Sequence, residues 1–331
     1  MRIAVLVVLA AVACAGEGVT VGSGAHVYDV DDRWAKLPPG VALGYTHAIA
    51  VDRAGNVHVF NESPHAVAVF APDGRFVRSW GAELFPGAHG LTLVEEAGEE
   101  VLYLAVEAQH RVVKATLAGE ILWSLGYPTE AQVYASAEPY RPTWVAVAPN
   151  GDFYVTDGYG AGYIHHYRQD RTWVRTFGGG GAEPGRFQTP HGVMIDARRD
   201  PAVLLVADRE SHRIQVLGLD GTPVSVIPPA GAEPAEQLLR RPCSFAVDGD
   251  RLVVADLCGR VTLLGRDGAL LAQLGAEVEI WTRGGWPNLP PQTWAAGEFI
   301  APHGVAADAA GNIYVAEWTG PGRITRLLKR K

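Results

Sequence analysis

Pro190-His191-Gly192-Val193-Met194-Ile195-Asp196 is one of six related heptads in this chain. The others begin at Thr46-His47-Ala48-Ile49, Ala88-His89-Gly90-Leu91, Pro142-Thr143-Trp144-Val145, Pro242-Cys243-Ser244-Phe245 and Pro302-His303-Gly304-Val305. Each leads through a turn to a second apolar run. The turns Ala54-Gly55-Asn56, Asn150-Gly151-Asp152, Gly249-Asp250 and Ala310-Gly311-Asn312 supply the positive φ angles of tight hairpins. The second runs end in an acid or amide: Asn61, Glu107, Asp157, Asp208, Asp256 and Glu317. A third run starts beside a base, as at Arg111 and Arg213, and a fourth follows Asp73-Gly74, Asp220-Gly221 or Asp267-Gly268. Four short strands repeating at roughly 40 to 60 residues define a propeller blade, so six repeats predict an all-β, six-bladed β-propeller.

The last repeat stops after its third strand, at Arg323-Ile324-Thr325-Arg326. An outer strand borrowed from Val27-Tyr28-Asp29-Val30-Asp31 closes the ring and leaves no open edge. Residues 25–331 are therefore expected to form one closed domain. Glu277 to Phe299, rich in Trp and Pro, has no counterpart in the other repeats and is expected to loop over one face.

Composition bounds the partners. The 331 residues are 48% hydrophobic and 19% charged, with a formal net charge of -8 and no basic stripe, which argues against binding a phosphate backbone. No apolar run beyond the N-terminus reaches the ~20 residues of a membrane span. Met1-Arg2 followed by uncharged Ile3 to Ala13 has the form of an export signal over residues 1–16. Ala11-Val12-Ala13-Cys14 suits either plain cleavage or a lipid anchor at Cys14. The protein is thus expected to be exported: periplasmic, extracellular or lipid-anchored to the outer face of a membrane, and monomeric. Cys243 and Cys258 flank a hairpin centred near Asp250, so a disulfide and a pair of buried free thiols are both open readings.

The residue that opens each repeat's first strand should sit on one ring around the axis. In order the ring reads His47, His89, Thr143, His191, Cys243, His303. The second, fourth and sixth members are His, and alternate blades lie about 120° apart, so three imidazoles converge. Three neutral His with an open fourth position suit a catalytic Zn²⁺, although the ligand types alone leave iron and copper open. The competing reading has these residues merely lining a wet channel, with His47 either a fourth ligand or a lining group. Beside them, Thr156-Asp157-Gly158-Tyr159 offers a phenol and Ala207-Asp208-Arg209-Glu210 a guanidinium, suited to proton transfer and to gripping a carboxylate.

The repeats resemble the NHL type. Phe187-Gln188-Thr189-Pro190-His191-Gly192, followed by Val206-Ala207-Asp208-Arg209-Glu210, resembles the peptidyl-α-hydroxyglycine α-amidating lyase family, a similarity that extends over most of the chain after the signal. The resemblance implies zinc on His89, His191 and His303, a catalytic Tyr159 and a substrate-binding Arg209. It implies cleavage of a carbinolamide C–N bond, releasing glyoxylate and an amide, with a small molecule or peptide as substrate. Three positions depart from the family pattern. Glu62 stands where the family has a second active-site Arg, Ala301 where it has a Met two residues before the third His, and Gly304 where an Asp is associated with structural Ca²⁺. A structural Ca²⁺ is correspondingly unsupported. The alternatives are a non-catalytic NHL propeller holding a peptide, glycan or protein at the cell surface, and a lactonase-type hydrolase, which would want more Asp and Glu on the axis than this ring has.

Overall fold

The computed structural model describes residues 18–228, 238–275 and 279–330; the expected export signal and Cys14 lie outside the described residues. Six antiparallel sheets are present among the described residues; five run outward in chain order, and the sixth takes its outer strands from near the N-terminus. The inner strands of blades I to VI are Thr46–Val51, Ala88–Glu96, Trp144–Val147, Pro190–Asp196, Pro242–Asp248 and Pro302–Ala307. The second strands are Val57–Asn61, Glu99–Val106, Phe153–Thr156, Val203–Asp208, Arg251–Asp256 and Ile313–Glu317. The protein is a six-bladed β-propeller, as the repeats predict.

Closure also follows the sequence. His26–Asp31 pairs antiparallel with the third strand of blade VI, Arg323–Lys329. A further strand, Thr20–Ser23, pairs outside it, so this sheet has five strands and begins before residue 25. Tyr28 on the closing strand is fully buried beside Leu263, Leu274 and Leu327. Between the blades, Leu91, Leu104, Trp144, Ile164, Val193 and Leu204 interleave in one apolar cluster. Each such side chain contributes on the order of 1.5–3 kcal/mol on burial.

Two local features aim residues at the axis. The inner strands of blades I, II, IV, V and VI each break register at the ring position: between Thr46 and Ala48, Ala88 and Leu91, Pro190 and Val193, Pro242 and Ser244, and Pro302 and Gly304. A β-bulge there frees one residue from the pleat and turns its side chain toward the channel. The acids that end the second strands then fix the approach to that position. Asp208 accepts hydrogen bonds from the Gln188 and Thr189 amides and from Arg213 Nε. Glu317 accepts from the Ile300 and Ala301 amides and lies 3.2 Å from Arg323.

The same bulge decides the cysteines. The turn of blade V pairs Asp248 with Arg251 and Pro242 with Asp256, so the hairpin is centred one residue earlier than expected, and Cys243 falls in the bulge. Cys258 lies two residues past the paired Asp256, both thiols are free and buried, and the disulfide reading is set aside.

The segment before blade VI, described from residue 279, does lie over one mouth of the channel. Asn288 ties it down, accepting from the Gly320 amide and donating to Tyr45 Oη, each at 2.8 Å. The opposite mouth is lined mainly by apolar residues, among them Val51, Leu93, Val147, Ile195, Val247 and Ala307, with Thr92 and Glu95 beside them.

Candidate metal centre and active site

His89, His191 and His303 meet on the axis. Their ring centroids lie 4.7 Å (89 to 191), 5.0 Å (89 to 303) and 4.6 Å (191 to 303) apart. Each imidazole donates its Nδ1 proton to a backbone carbonyl on the next blade's ring residue: Thr143 at 2.7 Å, Cys243 at 2.9 Å and His47 at 2.8 Å. A carbonyl can only accept, so all three rings are held in the tautomer whose Nε2 carries a lone pair, the arrangement that orients metal-binding histidines.

The glycine after each of these histidines permits that contact. A Cβ at Gly90 would lie 2.3 Å from the Thr143 carbonyl oxygen, at Gly192 2.2 Å from that of Cys243, and at Gly304 2.7 Å from that of His47. The carbonyls that hold the imidazoles can approach only because these side chains are absent. An acidic side chain at 304, as a structural Ca²⁺ would need, has no room there. Ala301, another of the three departures, is buried, and its carbonyl accepts from the Trp318 amide at 2.8 Å.

Burial pushes the pKa of His89 and His191 well below the ordinary imidazole value and that of His303 down to about 3, so the cluster stays neutral. Tyr159 closes the group: its hydroxyl lies 3.2 Å from His89 Nε2 and 3.0 Å from His191 Nε2, and accepts from Arg209 Nη1 at 2.8 Å. One phenolic proton cannot serve three Nε2 lone pairs. The resulting shortage of donors on a buried, neutral, nitrogen-rich axis is what a divalent cation would satisfy, and the residues fit Zn²⁺.

Two further ring members take part. His47 sits between His89 and His303, with centroids 4.9 and 4.7 Å away, and its buried Nδ1 has no hydrogen-bond partner. Ligand-capable atoms fall into two sets, each within 4.8 Å: His47, His89 and His303, and His191, Cys243 and His303. His303 belongs to both, and the predicted triad is divided between them, with His89 in the first set and His191 in the second. Cys243 stands beside the histidines, as its place on the axial ring leads one to expect, although no role as a ligand was expected of it. Burial pushes its thiol up to about 12.

Tyr159 and Arg209 are aimed by the loops the motifs predict. Asp157 accepts from the Arg141 and Ala161 amides and from Tyr134 Oη, which folds the turn that carries Tyr159. Gly158 lets that turn approach the Pro190 carbonyl, 2.6 Å from where a Cβ would stand. Arg209 begins a short 3-10 turn, Arg209–Ser211; its Nε bonds Glu210 at 2.9 Å and its guanidinium lies over the Tyr159 ring. Burial raises Tyr159 to about 12, against the pull of Arg209 in the other direction.

Above the histidines opens a cavity of about 460 Å³, lined by His47, His89, His303, Tyr159 and Arg209 together with Glu62, Glu107, Glu210, Arg241, Leu257, Trp286 and Trp318. Glu62 was expected in this pocket. Glu107 stands at a second-strand end that the repeats align, whereas Trp286, Trp318 and Arg241 were not expected, since they come from an insertion and from loops that share no motif.

Fold and site together define a six-bladed propeller with an axial histidine cluster and a Tyr-Arg pair at one mouth. No family model matches the chain. Its sequence is similar to human NHL repeat-containing protein 3, 27% identical over 242 residues, 70% of this chain and 67% of that protein. It is also similar to a probable peptidyl-alpha-hydroxyglycine alpha-amidating lyase of Caenorhabditis elegans, 25% identical over 54% of this chain and 56% of that protein. The chain thus spans little more than half the length of the lyase relative. A solved streptogramin B lyase superposes with a TM-score of 0.60 over 92% of this chain and 98% of its own, at 13% identity, a likeness of fold. The chain is a six-bladed propeller with sequence similarity to NHL repeat-containing proteins and, over a shorter stretch, to amidating lyases.

Proposed function

We propose that this protein is a metal-dependent lyase that cleaves the C–N bond of a carbinolamide, of the peptidyl-α-hydroxyglycine type. The observation that carries the reading is the hydroxyl of Tyr159, within hydrogen-bond reach of two axial histidines and of Arg209. His89, His191 and His303 would hold the metal, which supplies Lewis-acid stabilisation of negative charge developing on the carbinol oxygen. Tyr159 takes the hydroxyl proton in its phenolate form, which burial disfavours and which Arg209 and a cation held by the histidines would favour. The O–H electron pair becomes the second bond of the aldehyde as the C–N bond breaks, and the nitrogen is protonated. The products are glyoxylate and the amide, with no net oxidation. Arg209 favours the phenolate and offers Nη2, which bonds no described residue, to the substrate carboxylate.

Tyr159→Phe is expected to lower kcat for glyoxylate release by about 10²- to 10⁴-fold while the metal stays bound. Arg209→Lys should act chiefly on KM, because the planar fork that grips a carboxylate is lost. Unchanged kcat in the Tyr159 variant would remove it from the chemistry. The second reading, a non-catalytic propeller holding a peptide, glycan or protein, draws on the human relative, whose name describes repeats and no reaction. It requires glyoxylate release to be absent in the parent protein.

A further inference from the structure

The carboxylates around the cavity are not equivalent. Glu107 is ion-paired with Arg141. Glu210 is shared by Arg209, at 2.9 Å, and Arg241, at 3.2 Å. Glu62 accepts only backbone hydrogen bonds, from the Gly87 amide at 2.8 Å and from the Ala88 amide, and pairs with no cation among the described residues. Burial raises its pKa, with Glu107 adding to the effect.

Its neighbours are aromatic. The Glu62 amide bonds the Tyr45 carbonyl at 2.9 Å, and the Tyr45 ring lies 5.3 Å from that of Trp318. Trp318 and Trp286 line the same cavity as Glu62. Trp286 is fixed by its Nε1–H bond to the Ile300 carbonyl at 2.8 Å. An unneutralised carboxylate in one cavity with two indoles is a surrounding that recognises an ammonium group. The ring order gives the pocket polarity. Glu62 follows the second strand of blade I and Arg209 that of blade IV, so the two stand half a turn apart across the mouth, one seeking a cation and the other an anion.

We infer that the substrate is zwitterionic: its carboxylate is held at Arg209, and an ammonium group is held at the corner made by Glu62, Trp318 and Trp286. The inference deepens the lyase reading and rests on it for the carbinolamide, while the charge preference itself does not depend on turnover. A short α-hydroxyglycine derivative with a free amino group meets the requirement, whereas the same compound with its amine acylated does not.

Two unreactive probes, glycyl-glycine and N-acetyl-glycyl-glycine, test the charge preference by titration against the metal-loaded protein, read by tryptophan fluorescence and by calorimetry. The parent should bind the free amine about tenfold more tightly or better, and Glu62→Gln should bring the ratio close to one. Equal affinities in the parent, or a ratio that Glu62→Gln leaves unchanged, would overturn the inference. The parent's own ratio decides the matter even if the variant fails to fold. Glyoxylate release from the matching α-hydroxyglycine compounds is scored separately. A preserved ratio without glyoxylate supports the zwitterion site and sinks the lyase reading; glyoxylate formed with no preference for the free amine does the reverse.

Discussion

Gly192 has no side chain and yet determines where His191 points. The Cys243 carbonyl reaches His191 Nδ1 only across the space a Cβ would fill, and the same relation repeats at Gly90 and Gly304. Gly192→Ala should therefore weaken metal binding about 10- to 100-fold, the range for losing an outer partner of a ligand histidine, with the fold retained. Competition against a chromophoric chelator measures this, and unchanged affinity would show that the carbonyl is not needed to hold the ring. The three histidines were legible in the sequence because the repeats put them at one register on alternate blades. The carbonyls behind them were not legible, since each belongs to another blade, and neither was the orphaned Nδ1 of His47, which only three-dimensional packing reveals.

At the scale of the strand, the bulge is the working element. It releases His47, His89, His191, Cys243 and His303 from the alternation of their strands. Repeat comparison locates these residues but cannot see the register break, which is why it left a Cys243 to Cys258 disulfide open beside the two free thiols that the structure has. The closing strand was easier to anticipate, because an unpaired third strand in blade VI leaves an edge that something must cover. Its contribution to stability is concentrated in Tyr28, which is fully buried and accepts a hydrogen bond from Arg251 at 2.9 Å. Tyr28→Ala should cost about 3 to 5 kcal/mol in urea denaturation, as other large aromatic truncations in cores do. A cost under about 1 kcal/mol would mean that the ring is held closed elsewhere.

For the molecule as a whole, buried neutral histidines make stability depend on pH. His165 is fully buried between Tyr134 and Thr176, and burial depresses its pKa to about 3, far below the ordinary value of 6.5. Between those values the unfolded chain takes up a proton that the folded chain refuses. Stability is therefore whole above about pH 6.5 and falls as the pH drops toward 3, by about 1.4 kcal/mol per pH unit for this one group. Denaturation series at pH 7 and pH 5 should show the loss, and His165→Gln should shrink it; equal slopes in parent and variant would assign the dependence to other groups. The overall architecture could be read from six heptads, and so could the histidines, Tyr159, Arg209 and Glu62 of the pocket. The rest of its wall combines Trp286 from an insertion, Trp318 from blade VI and Arg241 from the approach to blade V, and no local pattern joins them.

The central claim is that the axial histidines hold a metal that makes this propeller a lyase. The direct measurement is glyoxylate release from an α-hydroxyglycine peptide by the parent protein, after chelation and again after stoichiometric Zn²⁺, beside His191→Ala carried through the same cycle. The account predicts activity lost on chelation and restored by zinc in the parent, and no restoration in the variant. Glyoxylate release that survives chelation, or a zinc-loaded parent that produces none, would contradict it.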